Sequence, residues 1–277
     1  MVAWKGPVKR LKQWYIEGLD VHLKVCQDIA RVVQESKITI ASGMFTKKHW
    51  SEYSKDDIER YTAKRTVHAN NYGMGKSKFA LITNLQEEHA EVLQRIYFTL
   101  FPEVKSKYQK WVEDCIKRTR TIWMPPPVKF RKIFYDIVDD ELLRSAYSCY
   151  PQCTVSAMLN RTLTACCNIF AEDKNEKLKD QWCAWYGKDN WDHWRAARDA
   201  DKRDPQSVLW RGMDIRLNVH DAGGISVPND ADMVRWAAHA WRASAETPIH
   251  IDETTNLVIP VDFKTGPTWG DLHDYKP

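Results

Sequence analysis

Arg60, Lys64, His68 and Tyr72 recur at every fourth position, and no other pattern in this sequence points so directly to chemistry. On an α-helix each step of four residues turns about 40° beyond a full turn, so the four side chains would spiral across one broad face. Two cations, an imidazole and a phenol make that face too polar for an ordinary core stripe. It suits a ligand with a polyanionic end and a flat aromatic end, such as a nucleoside triphosphate. A solvated helix face with chance spacing is the alternative.

A second candidate is Asp221, which follows the alternating segment Ile215-Arg-Leu-Asn-Val-His220 and precedes Gly223-Gly224 and Ile225. This pattern predicts a β-hairpin with a short glycine-containing turn. A carboxylate at such a turn is a hard oxygen ligand of the kind that Mg²⁺ prefers. The alternative is that Asp221 serves only as a turn former.

The segment from Val104 to Tyr135 contains nine basic and two acidic residues, with Trp111, Trp123, Phe130 and Phe134 between them. The whole chain carries a formal net charge of only +4, so the positive charge is concentrated locally. A basic segment with interleaved aromatic residues is typical of a surface that follows a phosphate backbone. A solvated basic face with a buried aromatic side would give the same pattern.

Four sequence patterns, taken in order, resemble motifs of the family A DNA polymerases, the bacterial polymerase I type and its phage relatives. Arg60-x3-Lys64-x3-His68-x3-Tyr72-Gly73 is similar to the fingers-helix motif B, and Leu217–Asp221 is similar to the palm motif C. Arg144-x3-Ser148-x3-Gln152 resembles the helix that follows the duplex minor groove, and Glu17–His22 resembles a stretch that follows motif A. These patterns cover most of the chain.

The resemblance implies a role for each residue of the motif B pattern. Arg60 and Lys64 would hold the triphosphate of an incoming dNTP, and Lys64 would protonate the departing pyrophosphate. His68 would pack beside the sugar and base, in a position where many members carry Phe or Tyr. Tyr72 would lie under the templating base. Asp221 would bind magnesium and, with Lys64, would be catalytic.

The resemblance also implies a DNA-binding set. Arg144, Ser148, Gln152 and His220 would contact the minor groove and the primer end of primer–template DNA, where correct base pairs share acceptors. Ser148 stands where the family usually has Asn, and would reach the bases only through water. Surface salt bridges for Arg144 and Gln152, and a core imidazole for His220, are the alternatives.

The sequence departs from the family at two catalytic positions. Ala222 follows Asp221 where motif C usually has Glu. Counted back from His22, the first Asp of motif A would fall upstream of Met1. We therefore expect the C-terminal part of a DNA-directed DNA polymerase that uses two Mg²⁺ ions. An N-terminal portion would supply motif A, the thumb and an exonuclease domain where one exists. A non-catalytic nucleic-acid-binding remnant, or a structural subunit of a split polymerase, is the alternative.

The fold class implied by the resemblance is α+β, with helix-rich fingers inserted in a palm that has a small antiparallel sheet. The expected segments are residues 1–36 as the helix that leads from palm to fingers, 37–135 as fingers, and 136–277 as palm. One helix is predicted over residues 1–36, and a helix beginning at Ser54 would carry the motif B face. Pro151 is expected to separate or kink two helices, and residues 171–210 to form a Trp-rich insertion.

Composition excludes several other classes of protein. The 43% hydrophobic and 28% charged residues of this 277-residue chain are in the ordinary globular range. No apolar run approaches the length of a membrane span, so a cytoplasmic protein without membrane contact is expected. The seven cysteines lack paired metal-ligand spacing, which favours reduced thiols over a zinc site or disulfides.

Overall fold

The structure is a computed structural model that describes residues 1–128, 130–171, 214–219, 222–227, 229, 231–253 and 255–277. Its helices are α1 Val2–Lys5, α2 Lys9–Ile16, α3 Val21–Glu35, α4 Ile58–Asn71, α5 Lys76–Thr83, α6 Glu87–Leu100, α7 Lys110–Thr119, α8 Asp140–Ala171 and α9 Ala231–Ala245. A π-helical turn, Val104–Gln109, leads directly into α7. The strands are β1 Thr121–Trp123, β2 Arg131–Ile133, β3 Asp214–Val219, β4 Ala222–Ser226, β5 Ile249–His250, β6 Asn256–Leu257, β7 Phe263–Thr265 and β8 His273–Tyr275.

The strands pair antiparallel, β1 with β2, β3 with β4, β5 with β6 and β7 with β8, and each described sheet has two strands. Helices account for most of the described residues, so the α+β prediction is confirmed. None of the described helices is long and apolar enough to cross a bilayer.

The chain divides into two compact units. The first comprises Met1–Pro125, Lys129–Gln152 and Ile251–Thr255, and the second comprises Pro126–Val128, Cys153–His250 and Asn256–Pro277. The three segments expected from the sequence remain a prediction. Every residue of the motif B pattern, together with Arg144, Ser148 and Gln152, belongs to the first unit.

The first unit is a helical core in which α4 packs on α3 and α6, and α5 packs on α6. Its largest fully buried side chains include Tyr97, Tyr108, Phe79, Phe101 and Ile29. Aromatic residues dominate this list because each one removes 150–250 Å² of surface from water. The core therefore fixes α4 from two sides and leaves its remaining side open.

The single helix predicted over residues 1–36 was wrong, because the structure has three helices there. Gly6 ends α1, and a Cβ atom at Gly6 would lie 2.9 Å from Cβ of Tyr108. Gly18 follows α2 with φ of +66°, a conformation that favours glycine. Asp20 then caps α3, since its Oδ1 accepts a hydrogen bond from the Leu23 N–H at 2.9 Å.

The start of the motif B helix also differs from the prediction. Helix α4 begins at Ile58 with Asp57 as its N-cap, not at Ser54. The Asp57 carboxylate accepts a hydrogen bond from the Ser54 N–H and pairs with Lys48 Nζ at 2.6 Å. Ser54 therefore organises the loop before the helix instead of capping it.

Helix α8 is continuous from Asp140 to Ala171 with Pro151 inside it. Of the two outcomes predicted at Pro151, a separation into two helices was wrong, and a kink stays a prediction. A proline in a helix removes the hydrogen bond to the carbonyl four residues earlier, here that of Tyr147. The buried Tyr108 hydroxyl donates to this same carbonyl oxygen at 2.5 Å. A side chain from another element thus replaces the missing donor, which stabilises a helical path through Pro151.

In the second unit, the predicted hairpin is present as β3 and β4, with Val219 paired to Ala222. The predicted glycine-containing turn was wrong, because Gly223 and Gly224 lie within β4 and pair with β3. A Cβ atom at Gly223 would lie 2.4 Å from the Trp241 ring, so α9 packs directly against the hairpin. Leu159, Ala237, Ala240 and Trp241 form the buried cluster at this contact. The predicted insertion at 171–210 lies outside the described residues from position 172 onward.

Candidate nucleotide and DNA site

Helix α4 has one buried side and one open side. The buried side carries polar residues as well as apolar ones: Glu59, Thr62, Ala63, Thr66, Val67, Ala69 and Asn70. The Thr66 hydroxyl donates to the Thr62 carbonyl at 2.8 Å, and the Thr62 hydroxyl donates to that of Ile58 at 3.2 Å. Because these hydroxyls find partners within the helix, they can be buried at little cost. Arg60, Lys64 and His68 are left on the open side, as the spacing predicted.

Arg60 is held by an acidic partner from another helix. Its Nη2 and Nε lie 2.8 and 3.2 Å from Oδ2 of Asp20, the N-cap of α3. Burial alone would raise the Asp20 pKa, but the Leu23 N–H and the Arg60 guanidinium together bring it below its ordinary value. Asp20 therefore stays ionised and fixes the direction of the Arg60 side chain.

Lys64 is exposed one turn further along α4, and among the described residues it makes no ion pair. Its positive charge is nevertheless felt nearby, because it contributes to lowering the pKa of both His22 and His68. Lys64 is thus the cation of this face with the greatest freedom to meet an anionic ligand.

Two histidines and a tyrosine continue the face. The ring centroids of His22 and His68 are 5.4 Å apart, and those of His68 and Tyr72 are 6.4 Å apart. Tyr72 lies one residue beyond the end of α4, where it serves as the C-cap. The predicted order of cation, imidazole and phenol is therefore present, with His22 added from α3.

His22 was missed as a site residue by sequence reasoning. Burial, followed by His68, Arg60 and Lys64, lowers its pKa to about 4. Its buried Nδ1 has no hydrogen-bond partner among the described residues. Burial and Lys64 also lower the pKa of His68. The signal in the sequence was the place of His22 at the end of the Glu17–His22 stretch that resembles the family.

Two side-chain amides and one hydroxyl hold the C-terminal end of α4 and the residues that follow it. Gln109 Nε2 donates to the Asn70 carbonyl at 2.8 Å, and the Tyr97 hydroxyl donates to Asn71 Oδ1 at 2.8 Å. Gln94 Nε2 donates to the Met74 carbonyl at 2.8 Å. The Gln109 bond satisfies a carbonyl that the helix end leaves open, and the three bonds together fix the chain around Tyr72.

Gly73 brings α4 and α8 together. Its φ is +67°, and a Cβ atom there would lie 2.7 and 2.8 Å from two carbons of the Tyr147 ring. The same hypothetical atom would lie 3.8 Å from Cγ of Arg144. The Tyr147 hydroxyl donates to Glu113 at 2.9 Å, which locks the ring in this position. The Arg144 side chain therefore lies beside Gly73, at the end of the motif B pattern.

Arg144, Ser148 and Gln152 follow one another along α8 at steps of four. Arg144 and Gln152 are exposed, and Ser148 is half-buried with its hydroxyl directed to the Ser145 carbonyl at 3.0 Å. The side chains of Arg144 and Gln152 are thus open to a ligand, whereas that of Ser148 is partly engaged. Their role in DNA binding remains a prediction.

His220 and Asp221, the two predicted palm residues, lie outside the described residues. Within the described part of the chain, no three side chains of His, Cys, Asp or Glu are grouped so that they could hold a metal ion. The described residues therefore do not fit a magnesium site by themselves, and the metal role of Asp221 remains a prediction.

Comparison with solved structures identifies the fold. The chain is similar to the POL domain of Pol1 from M. smegmatis, in a complex with DNA primer–template and dNTP, at a TM-score of 0.57 and 15% sequence identity. The match covers 88% of this chain and 34% of that chain, so this chain spans about a third of its length. No protein-family model and no curated protein matches the sequence. The fold is thus that of part of a polymerase domain.

Proposed function

We propose that this chain is the part of a DNA-directed DNA polymerase that binds the incoming dNTP and the primer–template. The observation that carries the proposal is the shared site on the first unit. Arg60, Lys64, His22 and His68 lie together on and beside α4, and Arg144 stands at the Gly73 end of the same helix. A polymerase must hold a triphosphate and a base pair side by side, and these two groups of residues suit the two tasks.

The triphosphate would meet Lys64 first, because that ammonium group is exposed and unpaired among the described residues. Arg60 would present the remaining N–H groups of a guanidinium already oriented by Asp20. Fixing the side chain in advance lowers the entropy that is lost on binding.

The two imidazoles would respond to the ligand. Their pKa values are lowered by burial and by neighbouring cations, so both rings are neutral at pH 7. A bound polyanion offsets those cations and favours the protonated form. We therefore expect His22, His68 or both to take up a proton when phosphate groups bind, which would add a positive charge next to the ligand.

The DNA would run along α8. Arg144, Ser148 and Gln152 would face the minor groove as the family resemblance implies, and Tyr72 would lie under the templating base. His220 belongs to the same proposal on the basis of sequence alone. Asp221 is proposed as the magnesium ligand, but no step of the reaction is assigned to a metal from the described residues.

The nucleotide site is tested by binding of a fluorescent dNTP analogue to the full chain. Lys64→Ala should weaken binding about 10- to 100-fold, because a charge-assisted hydrogen bond contributes roughly 1.5–3 kcal/mol. Lys78→Ala is the matched control, since Lys78 is an exposed lysine on the neighbouring helix α5. Equal affinities of the Lys64 and Lys78 variants would contradict the proposed site.

Catalysis is tested separately by primer extension with magnesium and dNTPs, in the presence of a polypeptide that supplies the motif A segment. Asp221→Asn should abolish extension while leaving nucleotide binding at Lys64 largely intact. A chain that binds both dNTP and primer–template, but extends no primer with that polypeptide under any divalent cation, would instead support the non-catalytic alternative. Undiminished extension by Asp221→Asn would overturn the metal assignment.

A further inference from the structure

Cys115–Tyr135 contains six basic residues and no acidic one. This segment includes the end of α7 and the hairpin of β1 and β2, and the proline-containing loop joins the two strands. Lys117, Arg118, Arg131 and Lys132 are exposed. The site on α4 and α8 uses none of these residues, so their concentration needs a separate explanation.

The hairpin displays an aromatic ring next to one of these cations. Ile122 is fully buried, and the alternation of a strand therefore turns Trp123 outward, where 59% of its surface is exposed. Trp123 pairs across the hairpin with Arg131, whose guanidinium carbon lies 5.5 Å from the indole centroid. The tryptophan is thus steadied by its neighbour while much of its surface remains open to solvent.

A second ring is displayed just after β2. The Phe134 N–H donates to the Arg120 carbonyl at 2.8 Å, and Arg120 Nη2 donates to the Asp136 carbonyl at 2.5 Å. These two bonds hold the backbone on both sides of Tyr135, whose exposed fraction is 83%. An exposed tyrosine on a backbone that is tied down in this way gives a ready surface for stacking.

From these contacts we infer that the β1–β2 hairpin binds single-stranded nucleic acid. Bases would stack on Trp123 and Tyr135, and the phosphates would meet Arg118, Arg131 and Lys132. Unpaired bases are favoured over a duplex because a duplex keeps the faces of its bases covered by stacking. Lys117 and Arg118 are paired with Glu113 and Asp114 at 3.5 and 3.8 Å, and the excess of cations that remains favours a polyanion over a protein partner. The inference rests on the proposed function, since it assigns the unpaired template strand to this hairpin.

The test measures fluorescence anisotropy of a labelled short oligothymidylate with the full chain at several salt concentrations. Trp123→Ala should weaken binding roughly 5- to 100-fold, the range expected for losing one base–aromatic stack. Trp123→Tyr should restore most of the affinity, because it keeps a ring for stacking. Trp269→Ala is the matched control, since Trp269 is 64% exposed on the turn between β7 and β8 and has Asp271 beside it.

Other outcomes would overturn the inference. If Trp123→Ala and Trp269→Ala bind the oligonucleotide equally well, the hairpin is not a base-stacking surface. If Trp123→Ala weakens binding to a blunt duplex but not to the single strand, the ligand is double-stranded DNA. If binding does not weaken with salt, the cations of the hairpin do not contact the phosphates of the oligonucleotide. Circular dichroism of each variant checks that the fold is kept, and the Tyr variant decides the question should Ala perturb it.

The result is independent of the nucleotide site. If Trp123→Ala leaves oligonucleotide binding unchanged while Lys64→Ala weakens dNTP binding, only the inference about the hairpin is overturned. If Trp123→Ala weakens oligonucleotide binding but the unmodified chain binds no dNTP, the proposed function is overturned. The inference that the hairpin binds single strands then still holds.

Discussion

The α4 face and the β1–β2 hairpin use the same residue types, cations next to aromatic rings, in opposite settings. On α4, Arg60 is tied to Asp20, and the pKa of His22 is lowered to about 4, chiefly by burial. On the hairpin, Trp123 is 59% exposed and Arg131 lies over its ring without leaving the surface. The α4 face is therefore partly shielded from water, whereas the β1–β2 hairpin is exposed to it.

The two settings favour different ligands in our proposals. Partly desolvated charges interact more strongly with an anion than exposed ones do. Exposed cations with open rings suit a long, flexible polyanion that contributes many weak contacts. Burial therefore separates the proposed nucleotide site from the proposed strand-binding surface where composition does not.

The most damaging change to the α4 region should be Gly73→Ala. A side chain at φ of +67° is strained, and its Cβ would overlap the Tyr147 ring at 2.7 Å. We expect a loss of about 2–5 kcal/mol in the free energy of unfolding from strain and overpacking together. Urea denaturation of the full chain measures it.

Gly75→Ala is the control for that experiment. Gly75 has no atom within 4 Å of a Cβ position. Its φ of −67° is also open to any residue. Gly75 is the N-cap of α5, where alanine is less favourable than glycine, so its variant should lose no more than about 1 kcal/mol. An unchanged midpoint for Gly73→Ala would contradict the contact between α4 and α8.

A smaller effect is expected from Tyr108→Phe. The change removes the donor to the Tyr147 carbonyl, which Pro151 leaves without a helical partner. A buried carbonyl left unsatisfied costs about 1–3 kcal/mol of stability. The same change on the hairpin, Tyr135→Phe, removes an exposed hydroxyl and should have almost no effect. Equal unfolding free energies for the two variants would show that Pro151 is accommodated in another way.

The smallest effect concerns pH. The pKa of His22 is about 4 in the folded chain, below its ordinary value of 6.5. Between these values the unfolded chain binds more protons, so the contribution of His22 to stability is complete above pH 6.5 and is lost as the pH falls towards 4. Unfolding midpoints at pH 7.5 and pH 5 measure this loss.

His22→Gln should reduce the difference between those two midpoints, because glutamine does not titrate. Parallel pH curves for His22→Gln and the unmodified chain would show that the imidazole is not desolvated. The β1–β2 hairpin contains no histidine, so Trp123→Ala should leave the pH dependence unchanged.

Spacing alone determined what is local in this protein. Steps of four put Arg60, Lys64 and His68 on one side of a helix, and alternation predicted the β3–β4 hairpin. The α+β class followed from resemblance to a family on several such motifs and is confirmed by the fold. Each of these features depends on neighbours within a few residues, which periodicity describes well.

Tertiary structure decided what the local patterns meant. Asp20 meets Arg60 across 40 residues, Tyr108 meets Tyr147 across 39, and Gly73 meets Tyr147 from another helix. No periodicity specifies such pairs, because they depend on which buried faces pack together. For the same reason the exposed Trp123 could not be separated by sequence from the buried Phe134. Side-chain identity and spacing supplied the chemical groups. Packing decided which of these groups would be paired with another residue, which would be desolvated and which would stay open to a ligand.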